Sequence, residues 1–358
     1  MWPDRRLIDL FKIDVPIVQA PMAGVQDVDV MIGVAEGGAL GSLPCAMISA
    51  EKAREQVQIF RQRVSAPLNM NFFCHTAVEA DADREVGWRR RLAPYFQELG
   101  LDPGMTVNAA NRAPFDEQMC GLVEELKPEI VSFHFGLPEK TLLERVKAAG
   151  AIVVGCATIV KEAIWLEQHG ADVIIAQGAE AGGHRGMFLT DNIASQPGTM
   201  SLVPQVVDAV RVPVIAAGGI ADGRGIAAAF ALGAAGVQIG TAYLRTPESK
   251  ASALGKAALA AASDDATVIT NVMTGRPARG VANRAIREVG PVSPDAPVFP
   301  HAATAFAPLK TAAEKLGRAD FTNLWAGQSV ALGREFGAAD LTRTLAVEAQ
   351  ERLRYLAG

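Results

Sequence analysis

The chain has 358 residues, 49% of them apolar and 6% aromatic, so a large core is available and Ala, Val, Ile and Leu must fill it. Its 34 basic and 39 acidic residues leave a formal net charge of −5, which offers no electrostatic footprint for nucleic acid. No apolar run reaches the ~18 residues of a membrane span. Cys45, Cys74, Cys120 and Cys156 stand apart without C-x-x-C spacing, as expected of buried thiols in a reducing compartment. The first ten residues mix charges and lack an apolar h-region, so a cytoplasmic location is expected.

From the N-terminus on, short apolar runs bounded by Gly or Pro alternate with segments of helical spacing, the signature of βα units. The runs are residues 16–20, 39–43, 68–72, 130–134, 151–155, 173–177, 212–216 and 236–240. Helical partners are clearest at 49–63, 115–127, 138–149, 158–169, 202–210 and 223–234, with Ser49 and Asp222 as caps. Eight such units predict a (β/α)8 TIM barrel, with long connections at 73–114 and 178–201. An open doubly wound sheet is disfavoured, because the first βα junction, Pro21-Met-Ala-Gly24, is not GxGxxG. After Gly240 the pattern changes: helical stretches at 248–262, 302–316 and 338–356 are separated by turn-rich and proline-rich segments. The expected division is a barrel over 1–264 and a helical extension over 265–358 that returns across the rim as a partial lid. Packing of that extension outside the barrel, or against another subunit of a homo-oligomer, fits the sequence equally.

In a parallel barrel the C-terminal strand ends carry the chemistry. Gln19, Asn71, His134, Gln177 and Gln238 end runs and so share one rim. Gly218 and Gly219 follow the seventh run, and Gln238-Ile239-Gly240-Thr241 closes the eighth. These bare strand ends offer backbone N–H groups to a phosphate, although close helix–strand packing also explains glycine there. The phosphate of a sugar, of pyridoxal phosphate or of FMN would fit. No run ends in a lysine, which weighs against pyridoxal phosphate. For a flavin, Met22 and Ala20 supply an apolar bed, and Asn71 and Gln177 supply amides.

The segment Gln177-Gly-Ala-Glu-Ala-Gly-Gly-His-Arg-Gly186 carries the candidate catalytic histidine, His184. Its glycine-rich setting reads as open, with an ordinary imidazole pKa, Glu180 placed to orient the ring and Arg185 to attract an anion or to pair at the surface. His134, in Ser132-Phe-His-Phe-Gly136, fits a second rim imidazole or a buried histidine bonded to a carbonyl. His75, His169 and His301 have no constellation around them, and no metal-ligand spacing is present. GxSxG, paired carboxylates and a dinucleotide fingerprint are likewise missing from the sequence.

Four ordered motifs carry a family resemblance: Pro16-Ile-Val-Gln-Ala-Pro-Met-Ala-Gly24, Ser132-Phe-His-Phe-Gly136, Gln177 to Gly186, and Ala217-Gly-Gly-Ile220. Together with Trp325-Ala-Gly-Gln328 they make the chain resemble the nitronate monooxygenases, formerly 2-nitropropane dioxygenases. The resemblance implies an FMN-containing (β/α)8 barrel with a helical extra domain. It implies FMN contacts at Asn71, Gln177, Gly182, Gly219 and Gln238 through Ile239 and Gly240 to Thr241. It places Met22 near the flavin, makes His184 the catalytic histidine and adds weight to His134. The implied reaction takes a small anionic nitronate, such as propionate 3-nitronate, and dioxygen to a carbonyl compound and nitrite. The alternative on this scaffold is an FMN-dependent NAD(P)H:quinone or enoyl-thioester reductase.

Overall fold

The computed structural model describes residues 2–107 and 112–358; residues 108–111, within the long connection 73–114, lie outside the described ones. In chain order the strands are β1 (Ile17–Gln19), β2 (Gly41–Pro44), β3 (Leu68–Phe73), β4 (Ile130–His134), β5 (Ile152–Ala157), β6 (Val173–Gln177), β7 (Gly183–His184), β8 (Val214–Ala217), β9 (Gly236–Ile239), β10 (Thr267–Thr270) and β11 (Ala278–Val281). Eight of them form one parallel sheet in the order β1-β9-β8-β6-β5-β4-β3-β2. A parallel bridge between Val18 and Leu40 joins its two edges, with Gln19 N–H donating to the Leu40 carbonyl at 2.9 Å and Leu40 N–H to that of Ile17 at 3.0 Å. The result is the (β/α)8 barrel, and each of the eight runs supplies one of its strands.

The strands are short and almost wholly buried, as parallel strands covered on both faces must be. Their inner side chains join the helix Arg6–Phe11 in one cluster that includes Leu7, Phe11, Leu40, Ile130, Val154 and Ile215. The caps behave as their chemistry dictates. Ser49 accepts from Lys52 N–H, and Asp222 accepts from Arg224 and Gly225 N–H at the start of Gly223–Ala231.

The long connection after β3 and the C-terminal extension each add elements to the barrel. The connection after β3 contains the helix Ala82–Glu98. Its Trp88, Leu92 and Phe96 form a separate core with Val272, Ile286, Phe306 and Phe321, from a segment almost 200 positions later. The last helix, Ala338–Ala357, packs on the outside against Val28–Glu36 and Gly223–Ala231. That approach needs small residues: a Cβ on Gly33 would lie 2.8 Å from Ala338 Cβ. Buried Tyr243 shares a hydrogen bond with Thr342 of that helix at 2.8 Å. Between these elements, β10 and β11 form an antiparallel hairpin whose second strand pairs with β7, in the loop after β6.

Candidate active site

His184 is placed by that hairpin. The short strand β7 pairs antiparallel with β11, with Gly183 opposite Arg279 and His184 opposite Ala278. The next residue continues the contact, Arg185 N–H donating to the Pro277 carbonyl at 2.8 Å. The His184 carbonyl accepts from Gln177 Nε2 at 3.1 Å and lies 3.1 Å from His134 Nε2. The loop after β6 is therefore a fixed element, tied on one side to the barrel and on the other to the hairpin.

The His184 ring sits among aromatic neighbours: Phe299 at 5.3 Å, Trp325 at 5.6 Å, Phe135 at 6.1 Å and Phe73 at 6.3 Å between centroids. Its Nε2 lies 2.9 Å from Thr274 Oγ1. The Thr274 hydroxyl is itself within 3.4 Å of the Arg276 carbonyl, which can only accept. That chain assigns the proton to Nε2 and leaves the Nδ1 lone pair without a protein partner among the described residues. The environment is not the open one its glycines suggest. Burial holds the His184 pKa well below its ordinary value, helped by the charges of Arg112 and Arg276. Burial likewise lowers His134 and His75, each to about 4.

His134, half-buried, bonds a carbonyl, as one of its two expected roles has it, and that carbonyl belongs to His184. Glu180 and Arg185 depart from expectation. Glu180 accepts from the Thr199 N–H and hydroxyl at 2.8–2.9 Å and so holds the helix Thr199–Ala209 rather than the imidazole. Arg185 is fully buried and donates to the Gln177 and Gly178 carbonyls, both at 2.6 Å, and to Gln196 Oε1 at 3.1 Å. It braces the loop from inside and meets neither substrate nor solvent. Sequence spacing could not show this, because the direction in which those carbonyls turn is a tertiary property.

The other rim residues divide by whether the protein already satisfies them. Gln19 is spent within a buried network with Gln26 and Ser42. Asn71 Nδ2 donates to Ser132 Oγ at 2.9 Å, and Gln177 Oε1 accepts from Gly186 N–H at 2.8 Å. Gln238 differs: its Oε1 is buried with no partner, an arrangement that costs about 1–3 kcal/mol unless something donates to it. Beside it, Gly218 and Gly219 have φ of 110° and 73°. A Cβ on Gly218 would lie 3.0 Å from the Ala181 nitrogen, and one on Gly240 3.3 Å from Ala20 Cβ and 3.6 Å from Met22 Sδ. Thr241 opens the short helical turn Thr241–Arg245, whose first N–H groups have no intrahelical acceptor. The segment after Trp325 closes over this corner: Gly327 N–H donates to Thr241 Oγ1 at 2.9 Å, and Ser329 Oγ to the Gly219 carbonyl at 2.8 Å. Gly182 has to be glycine for the same reason, since a Cβ there would lie 2.6 Å from the Ala326 carbonyl carbon.

These residues fit FMN. A cradle of bare N–H groups suits a phosphate, the orphaned Gln238 oxygen suits a donor from the ligand, and Met22 and the aromatic ring cluster suit an apolar face. A cleft of about 580 Å³ elsewhere, lined by Asp222, Arg224, Arg334 and Glu348 among others, offers no rival site. Two of its arginines are already paired, Arg224 with Asp222 and Arg334 with Glu348, and the third, Arg352, lies over the Tyr355 ring.

The closed parallel barrel and the site gathered on its C-terminal rim define an enzyme of the (β/α)8 class. The sequence model of the nitronate monooxygenase family matches residues 4–348. The chain is 41% identical over 345 residues to the nitronate monooxygenase of Pseudomonas aeruginosa, covering 96% of this chain and 98% of that one. It is 39% identical over 355 residues to that of Paraburkholderia phytofirmans, covering 98% and 97%. Among solved structures, nitroalkane oxidase from Streptomyces ansochromogenes superimposes with a TM-score of 0.89 at 35% identity, over 99% of this chain and all of that one. FabK from Thermotoga maritima follows at 0.74 and 26% identity, over 100% of this chain and 99% of that one. The chain belongs to the nitronate monooxygenase family, and that membership implies an FMN cofactor.

Proposed function

We propose that this protein oxidises small alkyl nitronates with dioxygen, giving a carbonyl compound and nitrite. The observation that carries this reading is an imidazole held by Thr274 with one free nitrogen, on a rim whose glycine-bearing strand ends suit a phosphate. In this reading Gly218, Gly219, Gly240 and Thr241 hold the FMN phosphate, and Gln238 accepts from the cofactor. Asn71, Gln177, Gly182, Ile239 and Met22 line its remaining contacts. FMN, when bound, supplies the electron transfer and the reaction with dioxygen.

The protein's part is orientation and charge. His184, neutral at pH 7, keeps its Nδ1 lone pair free to accept a proton, while Thr274 fixes the ring and Phe73, Phe135, Phe299 and Trp325 border it. His134 is a positioning residue that acts through the His184 backbone. The lowered pKa has a consequence for substrate choice. A base this weak takes a proton from a neutral nitroalkane slowly, so the preformed nitronate is the substrate and the nitroalkane a poor one. Residues 267–330, with the helix Ala82–Glu98, act as a cap over the rim. The four free thiols support a reducing compartment such as the cytoplasm.

The test is to measure oxygen uptake and nitrite release by the purified yellow protein with propionate 3-nitronate and with 1-propyl nitronate. A parallel anaerobic sample receives NADH alone. Rapid bleaching of the flavin by NADH, without nitrite formation from nitronate, would assign the protein to the reductase alternative instead.

A further inference from the structure

Two guanidinium groups meet the aromatic pocket around His184, and neither has a carboxylate to answer it. The Arg276 guanidinium carbon lies 3.9 Å from the Phe135 ring centroid, and that of Arg112 lies 5.6 Å from the Phe299 centroid. Those two rings are 5.9 Å apart and both border His184. Arg276 Nη2 donates to the Met187 carbonyl at 2.5 Å, but its Nε is buried without a partner. Arg112 is less satisfied still: Nε and Nη1 are both buried and unpartnered. Among the described residues neither arginine forms an ion pair. Glu162, whose charge reaches Arg276, already accepts from the Thr158 N–H and hydroxyl and from the Phe188 and Leu189 N–H groups.

Both guanidiniums stay charged near neutrality, since burial lowers Arg276 only to about 10 and arginine starts from an ordinary value above about 12. The three imidazoles beside them, His75, His134 and His184, are neutral there. The pocket therefore carries two positive charges and no negative one. A guanidinium whose buried nitrogens go unanswered is unfavourable, so the arrangement is suited to a ligand that brings two negative charges. A nitronate brings one, spread over its two oxygens. A simple alkyl nitronate would leave one arginine uncompensated.

We infer that Arg112 and Arg276 form a two-point anion seat that selects nitronates bearing a second anionic group, with Arg112 receiving a carboxylate at the far end of the substrate chain. Arg112 takes that part because its nitrogens lack protein acceptors among the described residues, whereas Arg276 is stacked on Phe135 and tied to Met187 near the reacting end. This deepens the nitronate reading and rests on it.

The test compares propionate 3-nitronate with 1-propyl nitronate, which have equal carbon number and differ in the carboxylate. In the holoenzyme Arg112→Gln should raise KM for propionate 3-nitronate at least about 30-fold, as expected when a charge partner is removed. It should change KM for 1-propyl nitronate less than about 3-fold and leave kcat and FMN content near those of the parent. Arg112→Lys should recover part of the loss. Arg276→Gln should weaken both substrates. Binding of 3-nitropropionate, read from the flavin absorbance with dioxygen excluded, should weaken in Arg112→Gln by a factor similar to the rise in KM. Equal losses on the two nitronates, or none on either, would overturn the seat. Failure of the unaltered enzyme to oxidise either nitronate would strike the nitronate reading, while the 3-nitropropionate titration would still decide whether Arg112 receives a carboxylate.

Discussion

The two nitrogens of His184 have different work, and a substitution can separate them. Asn at position 184 keeps a polar group but removes the imidazole lone pair. With a nitronate, which needs no deprotonation and has no proton to give to Nδ1, His184→Asn should change kcat/KM less than about 3-fold. With neutral 1-nitropropane, whose proton must leave, the already small activity should fall by about 10²-fold or more. Parallel nitrite assays on the two substrates check this, and equal losses would mean that the ring is not a base. His134 predicts a different pattern. His134→Phe keeps the bulk and leaves the His184 carbonyl to Gln177 alone. The expected cost is about 1 kcal/mol, seen as a melting point lower by a few degrees and a higher KM with unchanged FMN content.

The rim corner depends on glycines whose conformation no other residue adopts freely. Gly218 has φ of 110°, and a Cβ there would meet the Ala181 nitrogen at 3.0 Å and the Gly178 carbonyl oxygen at 3.1 Å. Gly218→Ala should therefore cost about 1–3 kcal/mol of strain and release FMN on dialysis. Gly121, inside the helix Glu117–Leu126, has nothing within 4 Å of its missing Cβ. Gly121→Ala should stabilise the protein by about 0.5–1 kcal/mol with the flavin retained. Paired thermal melts and absorbance ratios distinguish the two sites, and a destabilised Gly121→Ala protein would contradict the packing described.

His75 and His134 also set how the folded chain responds to acid. In the unfolded chain each imidazole titrates near 6.5, and in the fold each is lowered to about 4. The unfolded state therefore binds these protons first, and the histidines' contribution to stability is fully present above about 6.5 and lost as pH falls towards about 4. Urea melts at a series of pH values should show the midpoint dropping through that window. Exchanging His134 for Phe should flatten the drop; an unchanged slope would show that this imidazole does not carry it.

How much could be read from the amino acids follows from the range of the interactions involved. The eight strands, most of their helices and the caps at Ser49 and Asp222 were legible because a strand buried on both faces must be continuously apolar, and a cap is a local bond. The glycine-bearing strand ends and the loop that carries His184 were legible as backbone features, because bare strand ends and a polar loop after a buried strand are contiguous in the chain. The helix Ala82–Glu98 lay hidden, since its buried face is completed by Phe306 and Phe321 from far along the chain. The inward turn of Arg185, the divergence of Glu180 from His184 and the depressed imidazole pKa values were hidden too. Each depends on which carbonyl, hydroxyl or ring arrives from a distant segment, and burial belongs to the assembled neighbours rather than to any stretch of residues. Arg112 and Arg276 show the point best: 164 positions apart in sequence, they come to neighbouring rings only when the barrel and the proline-rich segment 290–300 set Phe135 and Phe299 side by side.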